Sequence, residues 1–304
     1  MKYIHGKHLL AAALAAGLAA SSARAQYTPA DHNALTLAPA DATDTTGGAA
    51  TESPAQQEAD LAKKLQNPVA ALVSVPLQNN WDFGIGPADA MKYTCNIQPV
   101  IPISITENYN LIIRTILPVI YQEPTDNNPS APQTYREPHA GLGDTTQSFF
   151  FSPKAPVGGW IVGAGPVGYY PTATDDALGG GKWGAGPTIV ALQQRNGFTY
   201  GVLANQIWSF AGQQDRQNIN SMFVQPFCSY TTKTYTTFGI NTESTRNWQT
   251  DQWSVPINIT AQQLLKIAGQ PVAFQLGFRQ YVDGPVGGPQ WGLRFAVTFL
   301  FPKG

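Results

Sequence analysis

The sequence predicts an all-β fold, a transmembrane antiparallel up-and-down β-barrel of about 12 strands with a short N-terminal helical segment. Three observations carry that prediction. From Trp81 to the end, apolar and polar residues alternate with period two, so each strand presents one face of each kind. The alternating stretches are ~10–14 residues long, against a globular mode of ~5–6, and a tilted strand crosses a bilayer in ~9–11. After the N-terminal leader no apolar run reaches the ~18 residues of a membrane helix. A chain without such a helix spans lipid only as a closed barrel that satisfies its own backbone.

In chain order, residues 1–25 read as a signal peptide. Lys2 and Lys7 supply the positive region, Leu9 to Ala20 the apolar run, and Ala23-Arg24-Ala25 the small-residue cleavage site. Residues 26–58 are rich in Ala, Thr, Asp, Gln and Pro and poor in bulky apolar side chains, so a disordered leader is expected. Residues 59–76 form an amphipathic helical segment, with Leu61, Leu65, Val69 and Leu72 on one face. Asn67 and Pro68 read as a cap and a first-turn residue, dividing it into two short helices. It either packs as an ordinary helix on its own protein or plugs the lumen. Residues 77–304 are assigned to the barrel.

The strands are expected near Trp81–Gly86, Met91–Ile105, Leu111–Tyr121, Leu142–Phe151, Trp160–Tyr170, Trp183–Gln194, Phe198–Phe210, Asn218–Tyr230, Tyr235–Glu243, Gln252–Ile259, Val272–Val282 and Trp291–Phe301. The last alternates most cleanly, with Trp291, Leu293, Phe295, Val297, Phe299 and Phe301 against Gly292, Arg294, Ala296 and Thr298. Trp81, Tyr121, Trp160, Tyr169, Tyr170, Trp208 and Trp291 sit near strand ends, as interfacial aromatic girdles require. Pro99, Pro118, Pro166, Pro187, Pro226 and Pro256 oppose the pattern, because proline donates nothing to a ladder and a closed barrel has no edge to hold it. They are expected at strand ends or bulges.

Charged residues make up 12% of the chain, about half the ~25% of soluble domains, and the formal net charge is -1. No basic stripe exists to displace counterions, which excludes a nucleic-acid partner. Cys95 and Cys228 form no metal-ligand cluster, and pairing between them is left open by sequence. Gly163-Ala-Gly-Pro-Val-Gly168 matches a dinucleotide fingerprint, but Pro166 and Tyr169-Tyr170-Pro171 forbid the helix that must follow. Gly179-Gly-Gly-Lys182 lacks the first glycine of a phosphate loop, and Trp183 replaces its Ser or Thr, so it reads as a turn. Beyond the signal only His32 and His139 remain, and neither has a serine nucleophile beside it. His139 lies five residues from Asp144 in a loop. No catalytic, cofactor-binding or metal residues are assigned, and no enzymatic activity is expected.

From about Trp81 onward a series of short motifs runs in order. It comprises Asn96-Ile-Gln-Pro-Val-Ile-Pro102, Arg114-Thr-Ile-Leu-Pro118, Gly141-Leu-Gly-Asp144, Phe151-Ser-Pro153, Gly163-Ala-Gly-Pro166, Pro171-Thr-Ala-Thr174 and Leu178-Gly-Gly-Gly-Lys-Trp183. It continues with Gly201-Val-Leu-Ala-Asn205, Trp208-Ser-Phe-Ala-Gly212, Gln225-Pro-Phe227, Gly269-Gln-Pro-Val272 and Leu300-Phe-Pro-Lys303. In these the chain resembles a family of bacterial outer-membrane transporters grouped with the meta-pathway of phenol degradation. The resemblance implies a Gram-negative outer-membrane barrel that moves small, often aromatic or hydrophobic, compounds. It also implies outer-membrane lipid, a small-molecule solute, periplasmic chaperones and the barrel-assembly machinery as partners. Many such barrels finish on an aromatic residue, whereas this chain continues past Phe301 with Pro302-Lys303-Gly304.

A barrel of about 12 strands has a narrow lumen, since eight strands leave a filled interior and ~16–18 an open channel. By parity Gln98, Arg114, Gln275, Arg279 and Arg294 point inward and are the pore-lining candidates. Lumenal arginines either favour anionic solutes such as carboxylated aromatics or pair with lumenal carboxylates and hold the barrel. Two other functions stay open. One is a structural or surface-binding barrel without transport. The other is a lateral conduit for apolar molecules, whose mark would be a proline-interrupted strand pair in the wall. The sequence leaves the oligomeric state open.

Overall fold

The computed structural model of the chain describes residues 54–302, so the expected signal peptide and most of the expected leader lie outside the described residues. The first element is helix α1, Pro54–Leu65, which begins before the Ala59 expected from the apolar spacing. Its Ala, Gln, Glu, Leu and Lys content favours helix, and Lys63 and Lys64 in the last turn suit the negative end of the dipole. The second short helix expected after Asn67 is absent. Asn67 Oδ1 instead accepts from the backbone of Val69 at 3.0 Å, an Asx turn that redirects the chain. Residues from Val73 are then claimed by strand pairing.

Twelve strands follow among the described residues. They are β1 (Val73–Ile85), β2 (Ala90–Ile97, continued by Val100–Ser104), β3 (Tyr109–Gln122) and β4 (His139–Leu142, continued by Thr145–Pro153). Next come β5 (Ile161–Tyr170), β6 (Lys182–Arg195), β7 (Phe198–Gly212) and β8 (Asn220–Thr231). The last are β9 (Thr236–Thr242, continued by Ser244–Asn247), β10 (Gln252–Ile267), β11 (Gln270–Asp283) and β12 (Trp291–Phe301). Each pairs antiparallel with its neighbour in sequence. β12 returns to β1, from Val73↔Phe301 to Phe83↔Trp291, and closes the barrel. No described helix is long and apolar enough to cross a membrane.

The two ends differ. At the end holding Val73 and Phe301 the connections are tight. Asn196-Gly197 and Ala268-Gly269 make two-residue turns with positive φ at both positions, the geometry that matches strand twist. The longest connections lie at the other end. Residues 123–138 carry the short helix α2 (Gln133–Arg136), and residues 171–181 carry a 3-10 turn at Asp176–Leu178. Aromatic pairs gird both ends. Trp160–Tyr200 and Phe198–Tyr230 lie at the tight-turn end, and Phe83–Trp291 and Tyr170–Trp183 at the long-loop end.

Most prolines lie where the ladder is interrupted. Pro99 falls in the break of β2, across which the register with β1 is unchanged. Pro118 lies opposite the irregular step at Gly143–Asp144 in β4 and accepts from Gly143 N at 2.9 Å. Pro256 sits at a register shift between β10 and β11. Pro166 and Pro187 depart from the expectation of strand ends or bulges. They face each other in the middle of β5 and β6. The ladder is interrupted on the outer flank of each, toward β4 and toward β7, where their missing donors fall.

The barrel is inside-out. In β10, Asn258 points into the lumen and is 1% exposed, whereas its neighbour Ile259 points outward and is 60% exposed. Ile101, Phe151, Ile189, Phe238 and Leu276 are exposed on the outer face in the same way. Inside, two apolar clusters lie toward the tight-turn end. One cluster joins Leu61, Ala62, Ala70 and Leu72 to Leu264, Ala273 and Leu300. A second seats Val69 among Ile112, Phe150, Val190, Leu192 and Leu203. Cys95 and Cys228 are unpaired.

Candidate functional site

Even positions of β1, β3 and β12 and odd positions of β9 and β11 point inward, and their polar side chains build the lumen in layers. Nearest the long loops is a cluster of charges. Glu243, in the break of β9, takes a two-pronged contact from Arg294, with Nη1 to Oε1 at 2.9 Å and Nη2 to Oε2 at 2.7 Å. Arg279 Nη2 reaches the same Oε2 at 2.7 Å. Arg279 Nη1 donates to Asp82 Oδ1 at 3.2 Å, and Tyr281 Oη donates to the same oxygen at 3.1 Å. The remaining guanidinium donors are met by amides, Arg279 Nε by Asn258 and Arg294 Nε by Asn80, each at 2.8 Å. Fork-to-carboxylate pairs of this kind are the strong class of hydrogen bond.

The backbone explains why Glu243 is there. Asn241↔Phe227 and Ser244↔Val224 share one register, so Pro226 lies opposite Thr242, and Pro256 of β10 lies opposite Glu243. Neither proline donates to the ladder, and β9 is interrupted at this residue.

Below the charges, Arg114 Nη2 donates to Gln98 Oε1 at 2.9 Å. Gln275 Nε2 and Gln66 Nε2 both approach Gln262 Oε1 at 3.4 Å. Two cavities meet at this level. An upper one of about 400 Å³ takes in Glu243 and Arg294, with Ile116, Leu203, Ile207 and Phe223 on its walls. A lower one of about 240 Å³ is floored by Lys64 to Pro68, Ala70 and Leu72. Gln78, Gln98, Arg114, Gln225, Asn241 and Gln275 line both.

The structure therefore places all five pore-lining candidates, Gln98, Arg114, Gln275, Arg279 and Arg294, on the lumenal face. Arg279 and Arg294 are held together by one carboxylate. Gln98 and Arg114 form a separate pair. Sequence reasoning missed Asp82, Glu243, Asn80 and Asn258, the partners that neutralise or orient the arginines. Parity alone could have placed Asp82 and Glu243 inside. Matching them to particular arginines needed the register around the barrel.

His139 and Asp144, close in sequence, do not act together. His139 Nδ1 contacts Asp175 Oδ2 at 2.9 Å and Nε2 contacts Thr134 O at 2.9 Å. The Asp175 hydrogen bond, helped by the Thr134 carbonyl, holds the His139 pKa above its ordinary value, and Asp175 is correspondingly lowered. Asp144 accepts from Tyr169 Oη at 2.7 Å and from the backbone of Gly180 and Ala173 at 2.5 and 3.1 Å. The Gly179–Lys182 stretch thus folds over a carboxylate as a turn, and Gly163–Gly168 lies wholly within β5.

No family model and no curated protein matches the chain. Among solved structures it is similar to the COG4313 outer membrane channel from Pseudomonas putida F1, with 16% identity over 76% of this chain and 94% of that one, at a TM-score of 0.58. It is also similar to OmpT of Vibrio cholerae, with 8% identity over 75% of this chain and 96% of that one, at a TM-score of 0.37. The first likeness is one of fold, and the second is too loose to support an argument.

Proposed function

We propose that this barrel sits in a bacterial outer membrane as a channel for small molecules, aromatic or hydrophobic compounds among them. The observation that carries the reading is the inside-out wall, an apolar outer face around a hydrogen-bonding lumen with two cavities in series. An outer face of this extent is unstable in water and matched to lipid. The fold shared with a bacterial outer-membrane channel supports it, as does the motif series that resembles the phenol-degradation transporters. On this reading the long loops face outward, the tight turns face the periplasm, and membrane lipid, chaperones and the assembly machinery are its partners. The segment from α1 to Leu72 is a plug seated in the periplasmic mouth.

Conductance of refolded protein in a planar bilayer tests this, with residues 26–72 present or removed. The cut belongs at Leu72, because β1 begins at Val73. Discrete steps that grow on removal support a plugged channel. Silence in both forms, from protein whose gel mobility shifts on heating, rejects an aqueous path and favours a structural or surface-binding barrel.

One observation favours a second route. Pro166 and Pro187 interrupt the hydrogen bonds of the β5–β6 pair to both flanking strands. That is the wall feature a lateral conduit for apolar molecules requires. Crosslinking Phe151 to Ala164, register partners that face outward beside the break, through paired cysteines would block passage by that route and leave ion conductance unchanged.

A further inference from the structure

The lumenal guanidiniums are not equally paired. Arg279 and Arg294 meet the carboxylates Asp82 and Glu243, and Arg114 meets neither. Both oxygens of Glu243 are taken by Arg279 and Arg294, and Asp82 accepts from Arg279 and Tyr281. Among the described residues Arg114 has no carboxylate within ion-pair distance, and its one hydrogen bond goes to the neutral amide of Gln98. It lines both cavities, at the level where they meet. Around it stand five carboxamides, Gln78, Gln98, Gln225, Asn241 and Gln275, able to donate or accept. The upper cavity adds an apolar wall of Ile116, Leu203, Ile207 and Phe223.

We propose that Arg114, with Gln98 and the surrounding carboxamides, is a binding subsite for a small organic acid. The carboxylate would take the free edge of the guanidinium as a fork, and the apolar body would lie against the Ile116–Leu203–Phe223 wall. Arginine suits this role because its planar donors match a carboxylate and it stays charged at any working pH. A volume of about 400 Å³ lies within the ~300–1,000 Å³ of ordinary ligand pockets and accommodates one aromatic acid. A site of this kind would slow its own solute at the centre of the path while leaving it hydrated neighbours on both sides.

The proposal rests on the channel reading, so its test separates the two. Binding of benzoate and of uncharged benzamide to the full-length folded protein is measured by calorimetry, and benzoate block of single-channel current is measured in bilayers. Wild type should bind benzoate at least tenfold tighter than benzamide. Arg114→Gln should lose that preference, and Arg114→Lys, which keeps the charge without the fork, should retain part of it. If Arg114→Gln fails to fold, the comparison of Arg114→Lys with wild type decides. Equal binding of benzoate and benzamide, or undiminished benzoate binding in both variants, overturns the subsite. Benzoate binding by a barrel that passes no current upholds the subsite and overturns the aqueous channel, whereas current without benzoate binding does the reverse.

Discussion

Pro166 of β5 faces Pro187 of β6 in the barrel wall, each preceded by the same Gly-Ala-Gly run. A Cβ built on Gly165 would run into the carbonyl oxygen of Phe149, and one on Gly186 into that of Gln206. Those carbonyls belong to the flanking strands, at the places where the prolines leave the ladder without a donor. Gly165→Ala and Gly186→Ala should each cost about 1–3 kcal/mol through overpacking against backbone. Gly163→Ala, whose Cβ would meet only side-chain atoms of Val190, Phe150 and Val69 at 3.2–3.4 Å, should cost less. Heat-modifiable gel mobility checks this, and equal melting of all three variants would refute it.

Glu243→Gln should destabilise the folded barrel by about 3 kcal/mol, the usual result of removing one partner from a buried ion pair. Two guanidiniums, 9% and 4% exposed, would then face each other with Asp82 alone between them. Unfolding in urea, followed by tryptophan fluorescence, gives the number. A double variant with Arg294→Gln should recover part of the loss, since it removes one of the orphaned charges.

The loop of residues 123–138 should loosen as pH rises. His139 meets an acceptor at each ring nitrogen, the Asp175 carboxylate and the Thr134 carbonyl, and only the imidazolium donates at both. A folded-state pKa raised above the unfolded value means the contribution is full below the ordinary histidine range. It is lost as pH climbs through the raised value. Proteolysis of this loop in intact vesicles should therefore speed up on the alkaline side of about pH 6.5. His139→Gln should be fast at every pH. A cleavage rate independent of pH in wild type would show that the contact holds nothing.

Leu61→Asp should release α1 from its seat on Leu264, Ala273 and Leu300. A carboxylate there has no partner, and burial of an unpaired charge costs several kcal/mol. Trypsin should then cut after Lys63 and Lys64 faster, with the barrel's own melting unchanged. Cleavage at the wild-type rate would mean that the helix is not held by this cluster.

The segments that the sequence made legible are those with a persistent period of two. β12 matches its expected bounds, and every other expected segment overlaps one observed strand. The errors fall where something other than alternation decides. From sequence β1 starts at Trp81, because Val69 and Leu72 continue the helical spacing of Leu61 and Leu65. Its real start at Val73 is set by pairing with Phe301, more than two hundred residues away. β10 runs on to Ile267 past the expected Ile259, because Thr260, Gln262 and Leu264 face the lumen and the run Leu264-Leu265 blurs the pattern. In the site, inward direction followed from parity at all five candidates. Which charge meets which did not, because Glu243 and Arg294 are brought together by strands that are not neighbours.

The apolar seat of α1 is made by β10, β11 and β12, the last three strands, while α1 itself precedes the first. The apolar seat of this first helix is therefore complete only when the last strands have paired, although Gln194 of β6 already reaches its Lys63 carbonyl. A half-built barrel would leave the apolar face of the helix without those partners for the whole interval. Docking is in that sense a report of completion, and occupancy of the mouth distinguishes a finished wall from one still waiting for its final strand.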